Sequence, residues 1–149
     1  MSILQWLSQT DSNVVGLILR IVLAVVMFPH GAQKTLGWFG GDGFRGTMKF
    51  LTSSGIPAIF ALLAIAAEFL GALGLAVGLL TRVAALGIAC VMVVSILTVH
   101  WRQGFFMNWY GNQKGEGFEY HLLVLGIAIT LIIVGGGAWS LDGALAGPH

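Results

Sequence analysis

Charge is what this chain has least of. Only 9% of its residues are Asp, Glu, Lys or Arg, too few to clothe a water-soluble domain of this size. Seven Lys and Arg stand against six Asp and Glu, a net charge of +1. The basic residues are scattered instead of gathered on one face, which argues against nucleic acid as a partner. Cysteine is nearly missing as well. Cys90 stands alone inside an apolar run, so the chain can form neither an internal disulfide nor a Cys-x-x-Cys pair, and dithiol exchange within it is excluded. No basic segment precedes the first apolar stretch and no small-residue cleavage site follows it, so a cleaved signal peptide is not expected.

Hydrocarbon takes the place of charge. Hydrophobic residues make up 57% of the sequence and the mean hydropathy is +0.91, which points to one all-α transmembrane domain over residues 1–149, a four-helix bundle. Four spans are predicted, at about 14–34, 56–80, 83–100 and 118–135. Asp11, Ser12 and Asn13 precede the first and supply candidate N-caps, while Pro29 should bend its last turns. Pro57 opens the second span where a first helical turn tolerates it. Thr81 and Arg82 alone separate the second span from the third, which predicts a tight antiparallel hairpin. Gly135-Gly136-Gly137 ends the fourth.

An even number of spans puts both termini on one side and loops 1 and 3 on the other. The loop side holds Lys34, Arg45, Lys49, Arg102 and Lys114, against Arg82 at the 81–82 turn. By the positive-inside rule the two loops face the cytoplasm of a bacterial or archaeal plasma membrane and the termini lie outside. Aromatic residues repeat the asymmetry, with Trp38, Phe39, Phe44, Phe50, Trp101, Phe105, Phe106, Trp109, Tyr110, Phe118 and Tyr120 all near the loops. They read either as interfacial anchors or as the walls of a quinone or lipid-headgroup site. In loop 1, Gly41, Gly43 and Gly46 match G-x-G-x-x-G but follow a membrane helix instead of a strand, so flexible loop glycine is the better reading than a nucleotide site. Phe44, Met48 and Leu51 recur at i, i+4 and i+7 beside Arg45 and Lys49, as in a short interfacial helix capping the bundle.

Ionisable residues inside the spans carry the functional information, because a charge at the bilayer centre needs protein, water or a counter-charge around it. Glu68 is the only charged side chain between Ile56 and Leu80. At 1.5 Å per residue it lies roughly 18 Å below Ile56, and Arg20 lies roughly 21 Å below Lys34. The matching depths predict an Arg20–Glu68 ion pair, either a clamp fixing helix register or a proton or substrate site. Ala64, Ala67, Gly71, Gly74 and Gly78 recur around Glu68 and allow close helix packing. Nearer the loops, His30, Lys34, His100, Glu119 and His121 are expected to converge at one depth. Such a cluster suits interfacial hydrogen bonding, a quinone headgroup or proton transfer. Three histidines and a carboxylate are enough for a metal or haem site, but no two of the histidines share a helix at i, i+4, so the ligand signal is weak, no metal is assigned and haem is not expected.

Taken in order, Arg20, Pro29-His30-Gly31 with Lys34, Glu68 before Gly71 and Gly78-Leu79-Leu80-Thr81-Arg82, Gly117-Phe118-Glu119, and Gly135-Gly136-Gly137 with Ser140-Leu141-Asp142 resemble the DoxX family over about residues 15–143. The resemblance implies a four-helix inner-membrane protein. It also implies a link to quinone chemistry, since the family takes its name from similarity to the membrane subunit of an archaeal thiosulfate:quinone oxidoreductase. Some members are associated with oxidative or thiol stress. Arg20, His30, Lys34, Glu68 and Glu119 are the residues it carries over; His100 and His121 rest on the arrangement in this sequence. Two classes of function follow. One is a quinone-interacting redox subunit whose electrons come from a soluble partner enzyme or a diffusible reductant. The other is a non-enzymatic membrane scaffold or small-molecule carrier.

Overall fold

The computed structural model describes residue 10 and residues 12–146, and every regular element among them is helical. Helix α1 (Val14–Leu36) is capped by Asn13, whose side-chain oxygen accepts the Gly16 N–H at 2.6 Å. This satisfies one of the donors that every helix start leaves open; Asp11, another capping candidate, lies outside the described residues. Helix α1 continues through Pro29 and ends on left-handed Gly37 (φ 72°). A short 3-10 turn (Trp38–Gly40) leads to α2 (Gly43–Ser53), the predicted loop 1 helix. Helix α3 (Ala58–Val77) and helix α4 (Thr81–Thr98) follow, then a 3-10 turn (His100–Gln103), α5 (Glu119–Val134) and the short α6 (Leu141–Ala146).

By length and composition α1, α3 and α4 can cross a membrane, and the shorter α5 is equally apolar. They form a ring in which α1 packs on α3, α3 on α4 and α4 on α5, while the closing α5–α1 seam is much thinner. Leu23, Met27, Leu75, Ile88, Val124, Ala128 and Leu131 fill the core. The outer faces are just as apolar. Leu123 and Ile133 are 70% and 69% exposed, a liability in water but ordinary solvent contact in lipid.

Two details differ from the sequence reading. The α3–α4 turn is formed by residues 78–80, because Gly78 adopts φ 68° and Leu80 φ 49°, and Thr81 and Arg82 already belong to the first turn of α4. In loop 1, Gly41 is not a flexible residue. A Cβ there would lie 2.3 Å from the Gln33 carbonyl oxygen, so the chain returns against α1 at a distance that only glycine permits.

Arg20 does not pair with Glu68. It lies at the turn end of the bundle, 2% exposed, with every N–H engaged by a backbone carbonyl. Nε donates to Gly136 at 2.8 Å, and Nη1 to Leu75 and Ala76 at 3.1 and 2.8 Å. Nη2 donates to Ala138 and Trp139 at 3.2 and 2.8 Å. Leu75 and Ala76 belong to the last turn of α3, whose carbonyls have no helical donor and carry the negative end of the helix dipole. The Asp142 carboxylate, 3% exposed, works alongside. Its two oxygens accept the Leu80 and Thr81 N–H groups at 2.7 and 2.8 Å and so cap α4. Leu80 and Trp139 (φ 49° and 53°) both sit in the left-handed region that larger residues avoid. Asp142 grips the N–H of the first and Arg20 the carbonyl of the second, so the two buried charges hold the strained backbone in place.

The depth match failed because helix register is set by a close contact, not by a common starting level. A Cβ on Gly31 would meet the Phe69 Cα at 2.6 Å and the Glu68 carbonyl carbon at 2.8 Å, so Gly31 and the Glu68–Phe69 peptide share one level. Helix α3 therefore starts roughly 11 Å farther out than Lys34.

Arg20→Lys should lower stability by about 3 kcal/mol in thermal unfolding of the detergent-solubilised protein. Three ammonium protons replace five fixed guanidinium donors, and at least two carbonyls lose a charged partner. Gly31→Leu should cost at least about 2 kcal/mol in the same measurement by forcing α1 away from α3; a stability equal to wild type would contradict the assigned helix crossing.

Candidate functional site

The Gly31 crossing brings Lys34 to Glu68. Lys34 lies three residues beyond Gly31, and its ammonium donates to Glu68 Oε1 in a salt bridge between α1 and α3. The pair is lopsided: the Lys34 side chain is 37% exposed and Glu68 only 2%. The second carboxylate oxygen, Oε2, is buried and has no hydrogen-bond partner. A buried acceptor with no protein partner is costly unless a water or a ligand donor reaches it.

A second group lies on the α4, α5 and α1 side of the same end. The Ser95 hydroxyl and His121 Nε2 are 3.3 Å apart, and the other ring nitrogen of His121, Nδ1, is buried without a partner. The His100 and His121 rings lie 4.1 Å apart. His100 donates Nδ1–H to the Glu116 carbonyl at 2.7 Å, an acceptor that fixes its tautomer when the ring is neutral. The Tyr120 ring is 5.5 Å from His121 and 6.2 Å from exposed His30, across the thin α5–α1 seam. The Tyr120 hydroxyl points at the Met27 sulfur, 3.9 Å away, a weak acceptor at long range. Helix α1 links the groups: the Tyr120 hydroxyl reaches Met27, one turn from Gly31, and Gly31 lies against the Glu68–Phe69 peptide.

Of the five residues expected to converge, His30, His100 and His121 therefore gather through Tyr120, and Lys34 meets Glu68 beside them. Glu119 does not join. Its Oε1 turns into loop 3, where it accepts the Met107 N–H at 2.9 Å and the Trp109 Nε1–H at 3.0 Å. The first turn of α5 leaves a carboxylate free to brace the preceding loop, so Glu119 organises that loop instead of facing the histidines. Glu116 does likewise through the Asn108 N–H at 2.8 Å. Tyr120, Met27 and Ser95 were missing from the predicted site. Tyr120 was visible only as one of many loop-side aromatics, and Met27 and Ser95 carried no signal that separates them from core residues.

Among the described residues no set of three or more His, Cys, Asp or Glu is placed to hold a metal ion. The arrangement does offer an ammonium and a phenol as donors, a carboxylate oxygen as an open acceptor and an imidazole nitrogen able to take either role. That set suits a small polar aromatic headgroup in a low-dielectric site. An apolar groove of about 290 Å³, lined by Ile21, Ala24, Val25, Phe28, Ala72, Leu73 and Ala76, opens on the outer side of the α1–α3 seam, away from these polar groups.

Residues 15–101 match the DoxX family model. A protein of Bacillus subtilis (strain 168) named "Putative oxidoreductase CatD" is 30% identical over 115 residues, 77% of this chain and 76% of that protein. A protein of Escherichia coli (strain K12) named "Inner membrane protein YqjF" is 29% identical over 128 residues, 86% of this chain and 90% of its own length. No solved structure matches the chain significantly.

Removing Lys34 should strand the Glu68 carboxylate. Lys34→Met is expected to cost about 1–3 kcal/mol, discounted because the ammonium is partly exposed. The double variant Lys34→Met/Glu68→Leu should recover much of that loss, and a thermal double-mutant cycle measures the coupling. Strictly additive losses would mean that the two side chains do not interact.

Proposed function

The chain belongs to the DoxX family, and from that membership together with the open polar atoms of its loop-end site we propose that it is a quinone-interacting, redox-associated membrane subunit. The observation that carries the proposal is the pair of buried, unpartnered atoms, Glu68 Oε2 and His121 Nδ1. They stand beside a phenol and an ammonium, both able to donate further hydrogen bonds. A bound quinone or quinol would supply the two-electron, two-proton couple. The chain's own groups would bind and orient the ring, keep bulk water out and move protons. Lys34 and Tyr120 donate to ring oxygens, while His121 and His100 lie on the side facing loop 3, where a proton can reach solvent. Cys90 is the only cysteine, so electrons would come from a soluble partner enzyme or a diffusible reductant.

The same reading makes residues 1–149 one transmembrane domain with α5 as its fourth span. Loops 1 and 3 would face the cytoplasm, in keeping with Lys34, Arg45, Lys49, Arg102 and Lys114 on that side. The relative named as an inner membrane protein supports a plasma-membrane location.

Tetramethyl-1,4-benzoquinone and its hydroquinone, titrated separately into purified protein, should give saturable heat by calorimetry for at least one form. The double variant Tyr120→Phe/His121→Leu should weaken that binding by about tenfold or more, equivalent to one or two hydrogen bonds. Binding of neither form, with no quinone extracted from freshly purified protein, would sink the proposal. The non-enzymatic reading, a scaffold or small-molecule carrier, would then take its place, with copurification of a soluble enzyme as the mark of the scaffold.

A further inference from the structure

We infer that the loop-end site selects the reduced, dihydroxy form of its aromatic ligand over the quinone, with Glu68 Oε2 accepting a ligand hydroxyl; this rests on the quinone-site reading above. The preference follows from what each atom can donate or accept. A carboxylate only accepts hydrogen bonds, and so do the two carbonyl oxygens of a quinone. Glu68 is 2% exposed, its Oε1 is held by Lys34, and its Oε2 has no partner. An oxidised ring next to Oε2 would set acceptor against acceptor in a site too buried for water to screen the repulsion. A reduced ring brings an O–H to the same position and satisfies the orphan oxygen with a charge-assisted hydrogen bond, about twice as strong as a neutral one.

The neighbouring groups complete the fit. A hydroxyl that donates to Glu68 still accepts, and the Tyr120 phenol, one helical turn from the Gly31–Glu68 crossing, holds only a weak 3.9 Å contact to the Met27 sulfur. It can turn to the ligand oxygen at little cost. His121 Nδ1 lies on the residue next to Tyr120, buried and unpartnered. It can serve the second hydroxyl as donor or acceptor, because Ser95 at the other nitrogen is itself able to donate or accept. Lys34 remains bonded to Oε1 throughout and keeps the carboxylate paired. The least packed route from lipid to these atoms is the α5–α1 seam, where His30 is exposed beside Tyr120.

The test compares two affinities on one protein. Under anaerobic conditions, the wild type in detergent should bind tetramethylhydroquinone at least tenfold more tightly than tetramethyl-1,4-benzoquinone. In Glu68→Gln the amide N–H can donate to a carbonyl, so the preference should vanish or invert. Equal affinities in the wild type, tighter binding of the quinone, or an unchanged ratio in Glu68→Gln would each overturn the inference while leaving a quinone site in place. Binding of neither form would overturn both. Should Glu68→Gln fail to fold, the wild-type ratio alone decides.

Discussion

A guanidinium inside a hydrocarbon slab must direct all five N–H groups at protein, and the turn end of this bundle is organised around that demand. Arg20 draws the last turn of α3 and the segment from Gly136 to Trp139 to one point on α1. Asp142 then ties the returning chain to the start of α4. Few side chains could replace this arrangement. A lysine has too few donors, and an apolar residue would leave five carbonyls in a region where water is scarce. The glycines around it follow from the same crowding: a Cβ on Gly78 would come within 3.1 Å of the Arg20 guanidinium carbon and 2.5 Å of the Ser140 Cβ.

The loop end obeys a different rule. Its charges are also paired, but incompletely, with one Glu68 oxygen and one His121 nitrogen unsatisfied. At the turn end hydrogen bonds hold the buried Arg20 and Asp142 while the buried Thr81 hydroxyl has no partner. What stays open therefore differs: a hydroxyl there, a carboxylate oxygen and an imidazole nitrogen at the loop end. The turn end fixes geometry, and the open loop end keeps binding capacity in reserve. The thin α5–α1 seam lies beside the open end, so the part of the ring most easily parted is also the part with polar groups to offer.

Much of the fold was legible because hydrophobic length and helix punctuation are local properties. Asn13 capped α1, Gly135 ended α5, and the period of Phe44, Met48 and Leu51 marked α2. The polar partners were less legible because they depend on relative helix height, which composition does not encode. Counting depth from Ile56 and Lys34 assumed level starts, whereas Gly31 sets the real register and moves Glu68 from Arg20 to Lys34. Glu119 illustrates a second limit. A carboxylate at the start of a helix can face the core or the preceding loop, and only the course of loop 3, with the Met107 and Trp109 donors in it, decides. Backbone carbonyls as the partners of Arg20 were beyond a reading of side chains alone.

The Arg20 cradle also bears on how the protein is made. Three of its five acceptors lie 116 to 119 residues downstream of Arg20, so α1 enters the membrane long before they exist. At ordinary synthesis rates the interval is on the order of ten seconds. During that time α1 carries a cation that opposes insertion, by roughly 3 kcal/mol at a helix centre on the mildest scale and by less toward the end where Arg20 stands. Translation of the tail after α5 is thus the step that locks the first helix in place. Until then, the nascent bundle depends on the insertion machinery, a lipid headgroup or local water to shelter one charge.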